Sequence, residues 1–166
     1  MKKTILITGT SRGIGLALAK IFLNYGYRVF GTRRAANDDK INHPDFELLN
    51  LDLASFESIN LFERFFAEKG VKLDILVNNA AIGSDLDVML PAEESFKQTL
   101  DINLTGTVFF TERMVKHLAV AGKIVNISSR MGSIGLCTSA DSPAYRISKA
   151  ALNMYTKILL NRSAGK

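Results

Sequence analysis

The feature that most constrains the fold of this chain is a glycine-rich turn that separates an apolar run from an amphipathic segment near the amino end. Residues 5–7 (Ile-Leu-Ile) are typical of a strand that is buried on both faces of a parallel sheet. Glycines follow at positions 9, 13 and 15, and apolar residues then recur at helical spacing through Phe22. The pattern therefore predicts a strand, a tight turn and a helix in direct succession.

Such a turn can bind a dinucleotide, because the first turn of a helix presents backbone N–H groups and the positive end of the helix dipole to a pyrophosphate. Gly9 can take the tight turn out of the strand, Gly13 lets the backbone approach the phosphates, and Gly15 lets the helix pack closely on the strand. The spacing G-x-x-x-G-x-G differs from the common G-x-G-x-x-G fingerprint, so an ordinary tight turn is the alternative. The position between a strand and a helix favours nucleotide binding.

The next predicted strand, residues 28–32, ends at a position that influences the choice of dinucleotide in a Rossmann-like unit. A carboxylate there would hold the adenosine ribose hydroxyls and favour NAD. Thr32 occupies that position instead, and Arg33 and Arg34 follow it. Arg33 and Arg12, which lies in the glycine turn, could clamp a 2′-phosphate through forked, charge-assisted hydrogen bonds. The sequence therefore favours NADP, and solvated surface arginines are the alternative.

The rest of the chain alternates between strand and helix patterns, which predicts a doubly wound, Rossmann-like α/β fold with a parallel sheet. Ser55 can cap one helix and Gly70 ends it, while Ser142 and Pro143 have the residue types of an N-cap and a first helical position. Further strands are predicted at residues 46–51, 73–77 and 122–127, and helices at residues 55–69, from 93 or 94 to 119, and from 143 to 161.

Polar residues at strand ends and inside one helix are candidates for a functional site. Asp52 and Leu53 lie at the carboxyl end of the third strand, where ligands of open sheets bind. Asn78 and Asn79 follow the fourth strand and can tie neighbouring loops together through side-chain-to-backbone bonds. Asn103 falls in the middle of the long predicted helix, where a buried amide is costly unless it is bonded. We therefore expect Asn103 either to face outward or to have a function.

Composition narrows the function classes. The 166 residues have the length of one domain (1–166), and 47% hydrophobic and 22% charged residues are ordinary for a globular protein. The net charge of +5 comes from basic residues scattered along the chain, so nucleic-acid binding is not favoured.

No stretch is long enough to span a bilayer, and the lone Cys137 excludes an internal disulfide, so we expect a cytoplasmic protein with no membrane partner. His43 and His117 lack metal-ligand spacing, and we expect no metal.

Six motifs follow one another in a characteristic order: Thr8–Gly15, Asp52-Leu53, Asn78-Asn79-Ala80, Asn103, Ile127-Ser128-Ser129 and Tyr145–Lys149. Each motif alone is modest, but six in this order and spacing are highly specific. The chain resembles the short-chain dehydrogenase/reductase superfamily over essentially its whole length. The runs Ser129–Ile134 and Lys149–Asn153 are similar to its bacterial C-factor and carbonyl-reductase-like branch.

The spacing of Tyr145 and Lys149 supports the chemistry that the resemblance implies. The two residues are four apart and therefore share one face of a helix. An ordinary phenol holds its proton too tightly for exchange at neutral pH, and a neighbouring ammonium would stabilise the phenolate. The resemblance implies that Tyr145 protonates the substrate oxygen as the nicotinamide delivers hydride, and that Lys149 also bonds the nicotinamide ribose. It further implies that Ser129 positions the carbonyl, with Ser128 as the neighbouring candidate, and that Asn103 anchors a water in a proton relay.

The resemblance also implies a set of cofactor contacts, an assembly and a leading function. We expect an NADP-dependent oxidoreductase acting on a small carbonyl or alcohol substrate, as a homo-oligomer through its last two long helices. The alternative is a non-catalytic NADP-binding regulatory or interaction protein. The implied cofactor contacts are Gly9, Ser11, Arg12, Gly13, Ile14, Gly15, Arg33, Asp52, Leu53, Asn79, Ala80, Tyr145 and Lys149.

The chain departs from the family pattern in three places. Ala81 stands where the family usually has glycine, and the loop from Ser129 to Tyr145 is a few residues longer than is common. The family also continues well beyond this length. The resemblance therefore implies a C-terminally truncated chain, with a sheet that is incomplete at its C-terminal edge and without the last strands and the substrate lid.

Overall fold

The computed structural model describes residues 2–34 and 41–164, and the chain forms two compact units. The first unit comprises Met1–Ala80 and Phe110–Ile127, and the second comprises Ala81–Phe109 and Ser128–Lys166. The sequence also predicts a loop at residues 35–45, which are polar and include Asn, Asp and Pro, and most of this stretch lies outside the described residues.

Five strands and five helices occur in the described ranges. The strands are β1 (Thr4–Ile7), β2 (Arg28–Arg33), β3 (Phe46–Asn50), β4 (Leu73–Asn78) and β5 (Leu118–Asn126). The helices are α1 (Gly13–Asn24), α2 (Phe56–Lys69), α3 (Glu93–Leu100), α4 (Thr107–Met114) and α5 (Pro143–Ala164), with a π-helical segment at Asp101–Gly106 and 3-10 turns at Val115–His117 and Arg130–Gly132.

The first unit is built on a parallel sheet with the strand order β3-β2-β1-β4-β5. Ile5 of β1 pairs with Val29 of β2 on one side and with Ile75 of β4 on the other. The chain order reverses between β1 and β4, which is the point where open parallel sheets bind ligands at their carboxyl ends. The predicted Rossmann-like α/β fold is confirmed.

The two faces of this sheet are covered by different helices because successive strand residues point to opposite faces. On one face, Ile5 and Ile7 pack in a cluster with Leu23 of α1. On the other face, Phe30 of β2 meets Phe66 of α2, with the ring centroids 5.0 Å apart. All four residues of β1 are buried, as the apolar run predicts. Each such apolar side chain contributes about 1.5–3 kcal/mol by leaving water.

The predicted ends of α2 are confirmed. The Ser55 hydroxyl accepts a hydrogen bond from the backbone N–H of Ser58, and Gly70 takes the left-handed conformation with φ 60°. Both features satisfy backbone groups that a helix end would otherwise leave unpaired.

The second unit contains α3, the π-helical segment and α5, which pack on one another, and the short turn Arg130–Gly132, which packs on α5. The Tyr155 hydroxyl of α5 donates to the carbonyl of Val108 at 3.4 Å. Within residues 2–34 and 41–164, no helix combines the length and the apolar character that crossing a bilayer requires.

The long helix predicted from residue 93 or 94 to 119 is wrong at its carboxyl end. It widens into the π-helical segment, and α4 ends at Met114. Leu118 already has extended backbone and pairs with Leu73 at the start of β4, so β5 begins four residues before the predicted Gly122. Pairing with a distant strand therefore overrides the local helical pattern in this region.

Candidate active site

The glycine turn joins β1 to α1 and depends on two kinds of glycine. Gly9 and Gly13 have positive φ angles of 74° and 58°, a region that side chains with a Cβ rarely adopt. Gly15 is needed for close approach instead. A Cβ on Gly15 would lie 2.2 Å from the carbonyl oxygen of Gly9 and 2.5 Å from the side-chain nitrogen of Asn79. The helix therefore packs directly on the turn.

Hydrogen bonds from the ends of β1, β2 and β4 fix this turn. The Thr8 hydroxyl accepts from the backbone N–H groups of Asn79 and Ala80 at 2.9 and 3.0 Å. The side-chain nitrogen of Asn79 donates to the carbonyls of Thr8 and Gly9 at 2.8 and 3.1 Å. The predicted tie between loops is thus present at Asn79. The amide nitrogen of Asn79 is therefore engaged in holding the turn.

The amino end of α1 fits a phosphate group. The side chain of its N-cap residue, Arg12, makes no capping hydrogen bond, its first turn has no acidic residue, and residues 11–14 (Ser, Arg, Gly, Ile) are exposed. By contrast, α2 has the Ser55 cap and an acidic residue, Glu57, in its first turn. An uncapped helix end next to a tight glycine turn favours an anionic ligand through its N–H groups and its dipole.

Thr32, which lies at the position predicted to meet the ribose, bonds to the glycine turn. Thr32 is 2% exposed, and its hydroxyl accepts from the N–H of Gly9 at 3.1 Å. Its carbonyl accepts from the N–H of Thr10 at 2.8 Å. The half-buried Arg33, which ends β2, and the exposed Arg12 remain as the candidate groups for a 2′-phosphate.

The other cofactor candidates of the first unit lie after β3. Leu53 is buried at 6% exposure, and one carboxylate oxygen of Asp52 accepts from the N–H of Ala54 at 2.9 Å. The N–H of Asp52 donates to the Ser58 hydroxyl. The loop therefore has a fixed shape at the carboxyl end of the sheet.

The second unit brings Tyr145 and Lys149 together on one face of α5. The Lys149 ammonium lies 5.7 Å from the centroid of the Tyr145 ring, within the range of a favourable cation–π contact. Lys149 is only 3% exposed, and burial lowers the pKa of its ammonium because the charge loses hydration. Tyr145 is half-buried.

Asn103 lies in the π-helical segment and is buried and fully bonded. Its side-chain oxygen accepts from the N–H of Ile82 at 2.8 Å, and its nitrogen donates to the carbonyl of Ile82 at 2.7 Å and to the Ser148 hydroxyl at 3.2 Å. The Ser148 hydroxyl donates in turn to the carbonyl of Tyr145 at 2.7 Å. Of the two alternatives left by the sequence, an outward-facing Asn103 is therefore excluded. Asn103 is linked to the backbone of Tyr145 through one serine.

Ser129 and Ser128 differ in how their hydroxyls are used. The Ser129 hydroxyl accepts from the N–H of Met131 and so caps the turn Arg130–Gly132, which leaves its own proton available for donation. The Ser128 hydroxyl is buried and has no hydrogen-bond partner among the described residues. Gly132 lies against α5, since a Cβ there would be 2.8 Å from the Cβ of Lys149.

Several residues that support these groups carry no signal in the local sequence. Thr8 and Ser148 lie within predicted motifs, but Ile82 and Asp85 lie outside them and are far in sequence from the residues that they hold. The prediction that Ser142 caps α5 is wrong, because its side chain bonds to none of the first N–H groups of the helix. The Ser142 hydroxyl donates to the carboxylate of Asp141 at 2.8 Å, and the first N–H groups of α5 go to Asp85.

Comparison with known proteins gives a consistent result. The family model described as short chain dehydrogenase matches residues 3–166. The chain is 32% identical over 174 residues to 3-oxoacyl-acyl-carrier-protein reductase FabG of Salmonella typhimurium, covering 99% of this chain and 68% of that protein.

Solved structures of similar fold have been determined with two different cofactors. A short-chain dehydrogenase/reductase from Burkholderia multivorans with bound NADP has a TM-score of 0.85 and 28% identity, covering 99% of this chain and 75% of that one. A 3-oxoacyl-acyl-carrier-protein reductase from Brucella melitensis in complex with NAD has a TM-score of 0.85 and 31% identity, covering 99% of this chain and 69% of that one.

Proposed function

Because this chain belongs to the short-chain dehydrogenase family of nicotinamide-dependent oxidoreductases, we propose that it interconverts a small carbonyl compound and its alcohol with NADP as cofactor. The observation that carries the proposal is the placement of a buried lysine ammonium 5.7 Å from the ring centroid of Tyr145. A cation near a phenol favours the phenolate that proton transfer leaves, and carbonyl reduction and alcohol oxidation both require such a proton transfer.

The side chains of the second unit supply the proton chemistry in this proposal. A bound nicotinamide would supply or accept the hydride. In the reducing direction, the Tyr145 hydroxyl gives its proton to the carbonyl oxygen while the carbon gains hydride, so that one C–H and one O–H bond form. The charge of Lys149 stabilises the phenolate that remains. The Ser129 hydroxyl, which already accepts from Met131, donates to the same carbonyl oxygen and orients it.

The preference for NADP rests on the first unit. Arg12 and Arg33 are the cations at the glycine turn and at the end of β2, and Thr32 is engaged with Gly9. Each charge-assisted bond to a 2′-phosphate contributes roughly 1.5–3 kcal/mol, so NADPH should bind about tenfold or more tightly than NADH. Arg33→Asp should remove or invert that preference. Lys20→Asp, which makes the same charge change at an exposed position of α1, should leave it intact.

The proposal as a whole is tested by following NADPH and NADH consumption across a panel of aldehydes, ketones and quinones. Tyr145→Phe keeps the ring and removes only the acid, so turnover should fall to a few per cent or less while NADPH affinity stays close to normal. Tight NADPH binding with no turnover of any compound would instead favour a non-catalytic NADP-binding regulator. Equal affinity for both cofactors would contradict the arginine clamp.

We also propose that the chain forms a homodimer through α5. Ile147, Met154 and Ile158 are 48%, 63% and 42% exposed and are spaced by seven and four residues, so they form one apolar stripe. Phe109 of α4 is 46% exposed. Met154→Glu should shift the protein to monomer in sedimentation experiments.

We propose the cytoplasm as the location of this protein. The exposed free thiol of Cys137 suits that reducing compartment.

A further inference from the structure

The amino end of α5 is capped by a carboxylate from a distant part of the chain. The N–H of Ala144 donates to one oxygen of Asp85 at 2.6 Å, and the N–H of Tyr145 donates to the other at 3.2 Å. Asp85 is 1% exposed. Pro143, the first helical residue, has no N–H, so this one side chain serves the next two donors of the helix.

The residue that would ordinarily provide this cap is used elsewhere. Ser142 has a positive φ of 57°, and its hydroxyl accepts from the N–H of Asp87 at 3.0 Å. The N–H of Ser142 donates to the carbonyl of Val88 at 2.8 Å. Residues 85–88 are therefore attached to the start of α5 through a side chain, a hydroxyl and the backbone.

The same stretch of chain also holds Asn103. Ile82 lies three residues before Asp85. Its backbone N–H donates to the side-chain oxygen of Asn103, and its carbonyl accepts from the side-chain nitrogen of Asn103. The segment Ile82–Val88, which we call the clamp segment, thus contacts Asn103 through Ile82 and the backbone of Tyr145 through Asp85. Two residues that are distant in sequence are both attached to one short stretch.

We propose that Asp85 is a positioning residue that, through the clamp segment, fixes Tyr145 for proton transfer. The proposal rests on the proposed oxidoreductase function. A buried carboxylate forms charge-assisted bonds with helix N–H groups and opposes the positive end of the helix dipole, which makes it a stronger anchor than a hydroxyl cap. Asparagine keeps one acceptor oxygen without the charge, and alanine keeps none. Tyr145 should therefore be displaced further in Asp85→Ala than in Asp85→Asn.

The test compares these two variants with two controls in the full chain. Asp141→Asn removes a carboxylate at the same end of α5 that contacts the side chains of Ser142 and Arg146 and no N–H of Tyr145. Ser55→Ala removes the cap of α2, in the first unit. Asp85→Ala should lower kcat by about ten- to a hundredfold while the Kd for NADPH changes less than about twofold, because only the reacting group is displaced. The kcat of Asp85→Asn should lie between those of wild type and Asp85→Ala. Both controls should keep kcat near the wild-type value.

Two measurements do not depend on turnover. Amide exchange of Tyr145 should accelerate about tenfold or more in Asp85→Asn, and the ring resonances of Tyr145 in tyrosine-labelled protein should shift there and stay unchanged in Ser55→Ala. Wild-type kcat in Asp85→Asn, or unchanged exchange and ring resonances, would overturn the proposal even if Asp85→Ala fails to fold. Wild-type protein without turnover on any compound would refute the oxidoreductase function, and the exchange and ring measurements would then decide the role of Asp85 separately.

Discussion

Gly13 and Gly15 stand two residues apart in one turn and are required for different physical reasons. Gly13 has φ 58° and nothing within 4 Å of an added Cβ, so alanine there meets only backbone strain. Gly15 has no positive φ, but its Cβ would overlap the Gly9 carbonyl at 2.2 Å. The spacing of the glycines predicts a turn, whereas Asn79, which would also lie 2.5 Å from a Cβ on Gly15, follows a strand far along the chain.

The two alanine variants should therefore differ in stability. Gly13→Ala should lower the free energy of unfolding by about 1 kcal/mol, the cost of a left-handed residue with a side chain. Gly15→Ala should lower it by about 3 kcal/mol or more, because a backbone carbonyl must move. Urea unfolding of both variants measures the difference. An equal loss in the two variants would show that the turn can relax around a methyl group at position 15.

Lys149 carries a cost in stability that depends on pH. Burial lowers the pKa of its ammonium below the ordinary 10.5, so the unfolded chain binds more protons between the lowered value and 10.5. The free energy of unfolding therefore rises with pH across that window, and the penalty is fully present below it. Lys149→Met should stabilise the protein at neutral pH and remove this part of the pH dependence, while abolishing turnover.

Denaturant unfolding at several pH values checks this prediction. Lys20→Met, at an exposed position of α1, provides the control and should leave the pH dependence unchanged. A loss of stability at neutral pH in Lys149→Met would show that the contacts of the buried ammonium outweigh its desolvation.

At the scale of elements, the sequence predicts those helices and strands whose signals are local. The ends of α2 follow from Ser55 and Gly70, and β1 follows from its apolar run. The carboxyl end of the long helix could not be predicted, because Leu118 leaves the helix to pair with Leu73. In the candidate site, the spacing of Tyr145 and Lys149 reveals their shared face. The role of Asp85 could not be predicted, because it arises only when a distant loop meets the start of α5.

The packing of α2 on the sheet gives a prediction for this element. Phe66 is fully buried and has ring contacts with Phe30 and Phe62, whereas Leu61 on the same helix is 55% exposed. Phe66→Ala should lower the free energy of unfolding by about 3–5 kcal/mol. Leu61→Ala should change it by less than about 1 kcal/mol. Thermal or urea unfolding distinguishes them, and similar losses in both variants would contradict this assignment of the buried face.

At the scale of the whole molecule, the sheet order places β5 at an edge. Among the described residues, β5 pairs with β4 on one side only, and the side chain of Val120 is fully exposed. An edge strand with unpaired backbone groups and exposed apolar side chains is a site for association with another chain. A charge at such a position opposes that association without disturbing the core.

Val120→Lys should therefore slow concentration-dependent association severalfold, as measured by light scattering, and change stability by no more than about 0.5 kcal/mol. Val115→Lys adds the same charge at a position that is 40% exposed and lies outside the strand. Equal suppression by both variants would mean that net charge, rather than the edge of β5, controls association.

The π-helical segment at Asp101–Gly106 limits how this chain can change in length during evolution. Removing one residue from a helix rotates everything beyond the deletion by about 100°, since an α-helix has 3.6 residues per turn. A π-helical turn holds one residue more than a regular turn, so a return to regular winding can absorb a single-codon deletion there, whereas an insertion or a longer deletion would turn buried Asn103 away from Ile82 and Ser148. Insertions and longer deletions that exposed loops such as residues 134–140 can absorb should therefore be rejected at this segment, whatever residue types are chosen.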